Sequence, residues 1–390
     1  MLKLQQIINN HILSIIWLLL FIMPNNTAFY IFVPLSFMLL YQFKDKVKIN
    51  IAPLLIVIIS CLVLSFMINS GQNYILNKDY LRLISIVIFI ITFAKLRGDK
   101  ILKLYIWIAA IFVIITQFAF FLKLTSIANI IEKYYVINEY AETTFSRFET
   151  FQIEEFGINR LGGIYFNPNQ CARYLELILI TFLCEIKQFK KKELAILLPL
   201  IVFSIIATGS RTAFLVLFVI YFAYLYLKKE LTKKNVFRIG LVSIIIIIIY
   251  LLSNYNISEY RMLKIDEGMG NSFGIKVGLL IEYLTVNNSI IALCFGNLSP
   301  EILTVKYKML VPGTDFDIGD IFVIYGVVFF ILFIGLCGVV YKRMANQYRC
   351  FFVILLWMFS SSIICNYRTA PIFFLMMGLY YRRSLIENSH

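Results

Sequence analysis

The residues best suited to chemistry in this chain are arginines placed where helices should begin. In "NRLGGIYFNPNQCARYL", residues 159–175, Asn167 is a good helix N-cap and Pro168 suits the first helical position, so a helix is expected to start there and run inward to Ile186. In "ATGSRTAFL", residues 207–215, Ser210 or Thr212 can cap a second helix beside Arg211. If both starts face the same side of a membrane, their positive dipole ends join Arg160, Arg173 and Arg211 in a site suited to a bound anion. A lipid-linked diphosphate is such an anion.

Each of these residues also has an ordinary explanation. Arg211 can be an interfacial arginine snorkelling to lipid headgroups, and Arg160 a plain loop residue. Asn167 and Asn169 serve as cap and turn residues as readily as ligands. Arg173 stands one helical turn before Glu176 and can pair with it.

A second group lies further along the chain. Arg261, Lys264 and Lys276 stand near Asp266 and Glu267, where isolated charges are ordinarily solvated. "GTDFDIGDIFVIYG" then gathers Asp315, Asp317 and Asp320 just before an apolar segment. Carboxylates there can be helix N-terminal charges, a general base, or oxygen ligands for Mg²⁺ or Mn²⁺. No further ligand joins them, so a base is the better functional reading and no metal is expected.

The elements that must position these residues follow from composition. With 61% hydrophobic and only 15% charged residues, the chain lies far outside the range of soluble domains. We expect an all-α polytopic membrane protein, a single integral membrane domain over residues 1–390. The net charge of +14 would suit a nucleic-acid partner in a soluble protein, but here most basic residues mark topology, and no nucleic acid is expected. Seven cysteines without a CxxC pair read as small core residues, and the two histidines, His11 and His390, form no metal cluster. The apolar run 12–23 is followed by no small-residue cleavage pattern and reads as a retained helix.

Apolar segments near 12–23, 27–43, 50–68, 81–94, 101–121, 170–186, 194–208, 212–227, 239–253, 318–341, 350–364 and 370–381 predict about twelve transmembrane helices. The first, fourth and last are short and must borrow flanking residues. With both termini on one side, that side collects 22 of the 36 Lys and Arg residues. The short opposite loops carry only Lys78, Arg82, Arg211 and Arg368, so both termini are expected in the cytoplasm. Two long extracytoplasmic segments, about 122–173 and 254–317, remain. Within the second, 275–294 is interrupted by Lys276, Glu282, Asn287 and Asn288, and is expected to pack at the outer interface rather than cross.

Four elements together resemble the O-antigen polymerase and O-antigen ligase superfamily: "R-x-G-G-x-x-x-N-P-N" (Arg160 to Asn169), "G-S-R-T-A" (Gly209 to Ala213), "F-G" at 295–296, and "D-x-G-D-x-x-x-x-Y-G" (Asp317 to Gly326). The similarity spans residues 155–330 and is of Wzy type. It implies a metal-independent, cofactor-free glycosyltransferase at the outer face of the cytoplasmic membrane. It further implies undecaprenyl-diphosphate-linked glycans as donor and acceptor, joined into O-antigen, capsule or exopolysaccharide, and a chain-length regulator as a partner. Arg160 and Arg211 match family arginines. Where the family has a further arginine before "F-G", this chain has Lys276, which keeps the charge without the bidentate fork. Ligase members carry a histidine near the position of Asp315 or Asp317, and this chain has none there.

The implied roles are Arg160, Arg211 and Asp317 in catalysis, with Asn167, Asn169, Arg173, Arg261, Lys276, Asp315 and Asp320 binding substrate. A transferase acting outside the cell has no nucleotide-sugar supply, so its donor must bring its leaving group on a lipid. Negative charge grows on that diphosphate as the glycosidic bond breaks, and fixed arginines stabilise it most in the transition state. An O-antigen ligase and a lipid-linked oligosaccharide flippase or transporter are the alternatives, since twelve spans is also a transporter count.

Overall fold

The computed structural model describes residues 14–23, 52–69, parts of 103–131, 161–165, 168–228, parts of 278–296, 316–361, 363–364 and 369–387. Among them every regular element is helical, so the all-α expectation holds there. After a helix over 14–22 come α1 (Ala52–Asn69), α2 (Lys103–Phe121), a 3₁₀ turn Gly163–Tyr165 and α3 (Pro168–Cys184). A 3₁₀ turn Ile186–Gln188, α4 (Lys191–Ala207), α5 (Arg211–Leu227) and α6 (Ile290–Phe295) follow. The remainder are α7 (Asp317–Ile324), α8 (Gly326–Arg343), α9 (Asn346–Arg349), a 3₁₀ helix Cys350–Phe359 and α10 (Thr369–Glu387).

Among the described residues α8 is the one helix long and apolar enough to cross a membrane by length and composition. The apolar stretches 53–65, 103–119 and 212–227 are shorter. The expected spans 27–43, 81–94 and 239–253 lie outside the described residues, as do most of the two long segments. Two expectations change. The segment 318–341 is two helices, α7 and α8, because the chain breaks at Tyr325 and Gly326, where φ is +80°. The segment 350–364 winds as a 3₁₀ helix only to Phe359. The last helix extends beyond the apolar run 370–381, covering the 19 residues Thr369–Glu387.

The chain divides into two compact units, each assembled from three separate segments. The first unit comprises Met1–Asn25, Lys100–Glu267 and Asn346–Ile354. Its axis is α3, buried at every residue from Cys171 to Cys184, with α2, α4 and α5 against it. A helix enclosed on all sides has no polar face to spare, so its Arg173 and Glu176 are buried as well. Short connections make α3, α4 and α5 alternate in direction, which sends the starts of α3 and α5 to one end and the start of α4 to the other. Lys103 of α2 binds Glu193 of α4 at 2.8 Å, so the start of α2 shares the end that carries Lys187, Lys190, Lys191, Lys192 and Lys228.

The second unit comprises Asn26–Asp99, Gly268–Ala345 and Leu355–His390. Here α10 is buried at every residue from Thr369 to Arg382, and α8 touches α1, α6, α7 and α10. Arg343 donates to the Tyr381 hydroxyl at 3.3 Å, and the Ala345 amide to the Ser384 hydroxyl at 2.8 Å. The C-termini of α8 and α10 therefore lie together, and the two helices run parallel.

Candidate functional site

The four sequence elements fold into two pairs, one in each unit. In the first unit, "RLGGIYFNPN" and "GSRTA" meet at the C-terminus of α4. The last four carbonyls of a helix have no partner within it. Those of α4 find four different ones. The amide of Thr208 reaches Ile205 at 3.2 Å, that of Gly209 reaches Ile206 at 3.0 Å, and that of Leu161 reaches Ala207 at 3.2 Å. The fourth, Ser204, accepts from the side-chain amide of Gln117 at 3.2 Å.

Gln117, buried near the end of α2, also donates to the carbonyl of Leu161 at 3.1 Å and lies 3.4 Å from the sulfur of Cys171. One amide nitrogen thus touches the residue after Arg160, the first turn of α3, and the helix that ends just before Arg211. Beside it, Thr116 accepts from the amide of Ile164 at 3.3 Å while donating to Val113 at 2.7 Å. Gly163 has φ +55°, and a Cβ there would come 2.8 Å from the Thr116 hydroxyl oxygen. Glycine is the residue that permits both the turn and the approach.

Tyr165 fixes the other flank. Its ring stacks on Tyr174 at 4.0 Å, and its hydroxyl donates at 2.7 Å to the carbonyl of Phe21, near the end of the helix over 14–22. Phe21 in turn meets Tyr174 edge-on at 5.7 Å and Trp17 at 4.5 Å. A polar tip on a buried ring normally requires such a partner.

Pro168 opens α3 as expected, and Asn169 follows it, half-buried. Arg173 is buried one turn further on. Of the two candidate caps for α5, Ser210 is the one used: its hydroxyl accepts from the Ala213 amide at 3.3 Å. Arg211 is thereby the first residue of α5, preceded by Gly209 at φ +61°. The starts of α3 and α5 share one end of the unit, opposite the lysines. Arg160, Asn167, Arg261, Lys276 and Asp315 lie outside the described residues.

In the second unit, "F-G" and "D-x-G-D-x-x-x-x-Y-G" also meet. Short helix α6 is capped by Ser289 and ends at Gly296, φ +78°, and it packs on α7 and α8. A Cβ on Gly326 would strike the backbone of Cys294 and Phe295, so the start of α8 lies against the end of α6. The Ser65 hydroxyl donates to the Phe295 carbonyl, joining α1 to the same point. This part of 275–294 packs as a helix within the unit.

Asp317 begins α7, fully buried. Its Oδ2 accepts from the amides of Ile363 and Ile364 at 2.5 and 2.8 Å, and its own amide lies 3.4 Å from the Ser361 carbonyl. This carboxylate holds the backbone amides of Ile363 and Ile364. Thr369, at the start of α10, donates to the Ile363 carbonyl at 2.7 Å. Asp320 lies one turn on and is 8% exposed. Two carboxylates in the first turn also suit the positive end of α7.

Among the described residues, the glycines at positive φ are Gly163, Gly209, Gly296 and Gly326, one in each of the four elements. Each element therefore contains a backbone conformation that glycine accommodates readily; in the first unit Asn169 and Arg211 stand at helix starts that follow Gly163 and Gly209, whereas Asp317 and Asp320 open α7, ahead of Gly326. Sequence reasoning singled out the four elements and the starts of α3 and α5, but it missed the break at Gly326 and the roles of Gln117 and Thr116. No protein-family model matches the chain, and no curated protein does.

Proposed function

We propose that this chain is a membrane-embedded glycosyltransferase of about twelve helices, with both termini cytoplasmic, that draws on lipid-linked rather than nucleotide-linked sugars. Within that class it is a polymerase of surface-polysaccharide repeat units. It joins undecaprenyl-diphosphate-linked oligosaccharides at the outer face of a bacterial cytoplasmic membrane to make O-antigen, capsule or exopolysaccharide. The observation that carries the reading is the folding of two arginine-bearing elements onto one another at the C-terminus of α4, through Leu161 and Gln117.

The membrane setting is supported by exposed apolar side chains on the helices of both units. Ile196, Phe203, Leu215 and Ile331 each leave more than half of their surface uncovered, which suits lipid and not water. It is also supported by the lysines at the end of the first unit opposite Arg211, and by Lys342, Arg343, Arg382 and Arg383 at the joined C-termini of α8 and α10.

In this reading the acceptor hydroxyl attacks the anomeric carbon of the donor glycan, and the bond from that carbon to the diphosphate oxygen breaks. Arg160 and Arg211, at the end where α3 and α5 begin, hold the departing diphosphate. Its charge grows as the bond breaks, so the interaction is stronger in the transition state than before it. Arg173, Asn167 and Asn169 line the donor, while Arg261, Lys276, Asp315 and Asp320 bind substrate. Asp317 takes or orients the acceptor proton. No metal or cofactor enters the scheme, and a chain-length regulator is the expected protein partner.

The test is deletion of the gene followed by gel analysis of the surface glycan. Single transferred repeat units are expected. Absence of any transferred unit would point to a ligase or a flippase.

A further inference from the structure

At the lysine-rich end of the first unit, a shallow surface cleft lies between the end of α3, the end of α5 and the start of α9. Its polar lining is Lys187, Lys228, Asn346 and Gln347, and its apolar walls include Leu183, Ile186 and Leu227. The Lys228 ammonium sits over the Tyr224 ring, 4.5 Å from its centre. A contact of this kind favours keeping the ammonium over the ring, which also lines the cleft. Both lysine side chains are exposed, and both terminate helices that the proposed function places in the membrane.

We infer that this cleft binds the phosphate headgroup of an anionic phospholipid, with the glycerol and upper acyl chain along the apolar walls. Two ammonium groups and two amides above an apolar slot, at the boundary of two membrane helices, match a molecule that is anionic at one end and hydrocarbon at the other. Basic pockets between helices on the cytoplasmic side recognise lipid headgroups in this way. A soluble phosphate would find the two charges but would leave the apolar walls of the slot uncovered. The inference rests on the membrane setting and not on the polymerase activity.

The control for diffuse attraction lies in the same sequence. Lys190, Lys191 and Lys192 share this end of the unit but do not line the cleft. Full-length protein in detergent would be titrated with dioleoyl-phosphatidylglycerol or dioleoyl-phosphatidylcholine, and retained lipid counted by native mass spectrometry. The wild type should retain phosphatidylglycerol in preference. Lys187→Ser with Lys228→Ser should lower that retention about thirtyfold, as expected for two charge contacts near a membrane surface. Lys190→Ser with Lys191→Ser and Lys192→Ser should leave it within about twofold, as the cleft remains intact. Equal loss in both variants, or no loss in the double variant, would overturn the site. Displacement of the lipid by inorganic phosphate alone would overturn the lipid assignment. Carbonate washing of membranes tests the setting separately: release of wild-type protein would sink the membrane reading itself, whatever the lipid titration gives.

Discussion

The side-chain nitrogen of Gln117 donates to the carbonyl of Leu161 across 3.1 Å, although 44 residues separate them. The same nitrogen reaches Ser204 at 3.2 Å, so one amide serves both chain segments that lead to the proposed diphosphate arginines. Gln117→Leu keeps the volume and deletes the donor, leaving two carbonyls short of a partner at about 1–3 kcal/mol each. Gln117→Glu should be worse, because an acceptor then faces acceptors. Both variants should melt at lower temperature in detergent, and in cells polymer yield should fall further than protein level. An unchanged melting temperature in Gln117→Leu would show that the amide positions nothing.

Gly326 and Gly163 both adopt positive φ, but their surroundings differ. A Cβ on Gly326 meets the backbone of Cys294 and Phe295, whereas one on Gly163 meets the hydroxyl of Thr116, a side chain that can turn away. Backbone strain of about 1–3 kcal/mol applies to both positions. Only Gly326→Ala adds a collision that nothing nearby can relieve. It should reduce the folded yield of purified protein severely. Gly163→Ala should be milder and should recover in part when combined with Thr116→Ala. Equal damage from the two alanines, judged by size-exclusion profile, would contradict this account.

The starts of α3 and α5 were legible because Pro168 and Ser210 act through local rules: a fixed φ at the first helical position and a hydroxyl over the first free amides. The break at Gly326 was also visible in principle, as a glycine within an apolar period, yet the run 318–341 read as one span because hydropathy does not register φ. The 3₁₀ winding of Cys350–Phe359 likewise leaves composition unchanged. Gln117 was missed for a different reason. A single amide in an apolar helix says that a partner exists, but its partners lie 44 and 87 residues away, and only the fold selects them.

Arg211 is expected to act through charge and shape together. It is the first residue of a helix whose cap, Ser210, is already satisfied, so its removal should not unfold α5. Arg211→Ala should lower polymerisation by about tenfold to a hundredfold, the equivalent of about 1.5–3 kcal/mol for hydrogen bonds to a charged group. Arg211→Lys should restore only part of this, because a point charge replaces a bidentate fork. Full-length polymer from the alanine variant at normal protein level would favour headgroup snorkelling instead.

For Asp317, a structural role and a role in proton transfer separate cleanly by substitution. An asparagine can still present one oxygen to the amides of Ile363 and Ile364, which Asp317 holds at 2.5 and 2.8 Å, but it carries no charge. Asp317→Ala loses both functions. We expect Asp317→Asn to melt close to the wild type and to lose polymerisation, with Asp320→Asn less affected and Asp317→Ala impaired in both respects. The assay is polymer formation by purified protein with lipid-linked repeat units in the presence of chelator. Wild-type activity should survive the chelator. Recovery of a chelated enzyme by Mg²⁺ or Mn²⁺ would replace the base with a metal site, and full activity in Asp317→Asn would leave the residue with its structural role alone.

The two ends of the first unit make the topology testable with few positions. Because α3, α4 and α5 alternate in direction, Thr212 belongs to the end with Arg211, while Gln188 and Lys228 belong to the end with Lys190, Lys191 and Lys192. The proposed topology puts the lysine end in the cytoplasm, on the ground of charge asymmetry. In intact cells, Thr212→Cys should therefore react with a membrane-impermeant maleimide. Gln188→Cys and Lys228→Cys should react only after the membrane is opened, each judged against the background of the seven native cysteines. The residues on α3 and α5 are linked by their helices, so the three positions cannot vary independently. Labelling of Thr212→Cys together with Lys228→Cys from outside would mean that α5 does not cross. Labelling of Gln188→Cys and Lys228→Cys alone would invert the unit and place Arg160 and Arg211 in the cytoplasm, where a nucleotide-linked donor would be the simpler substrate.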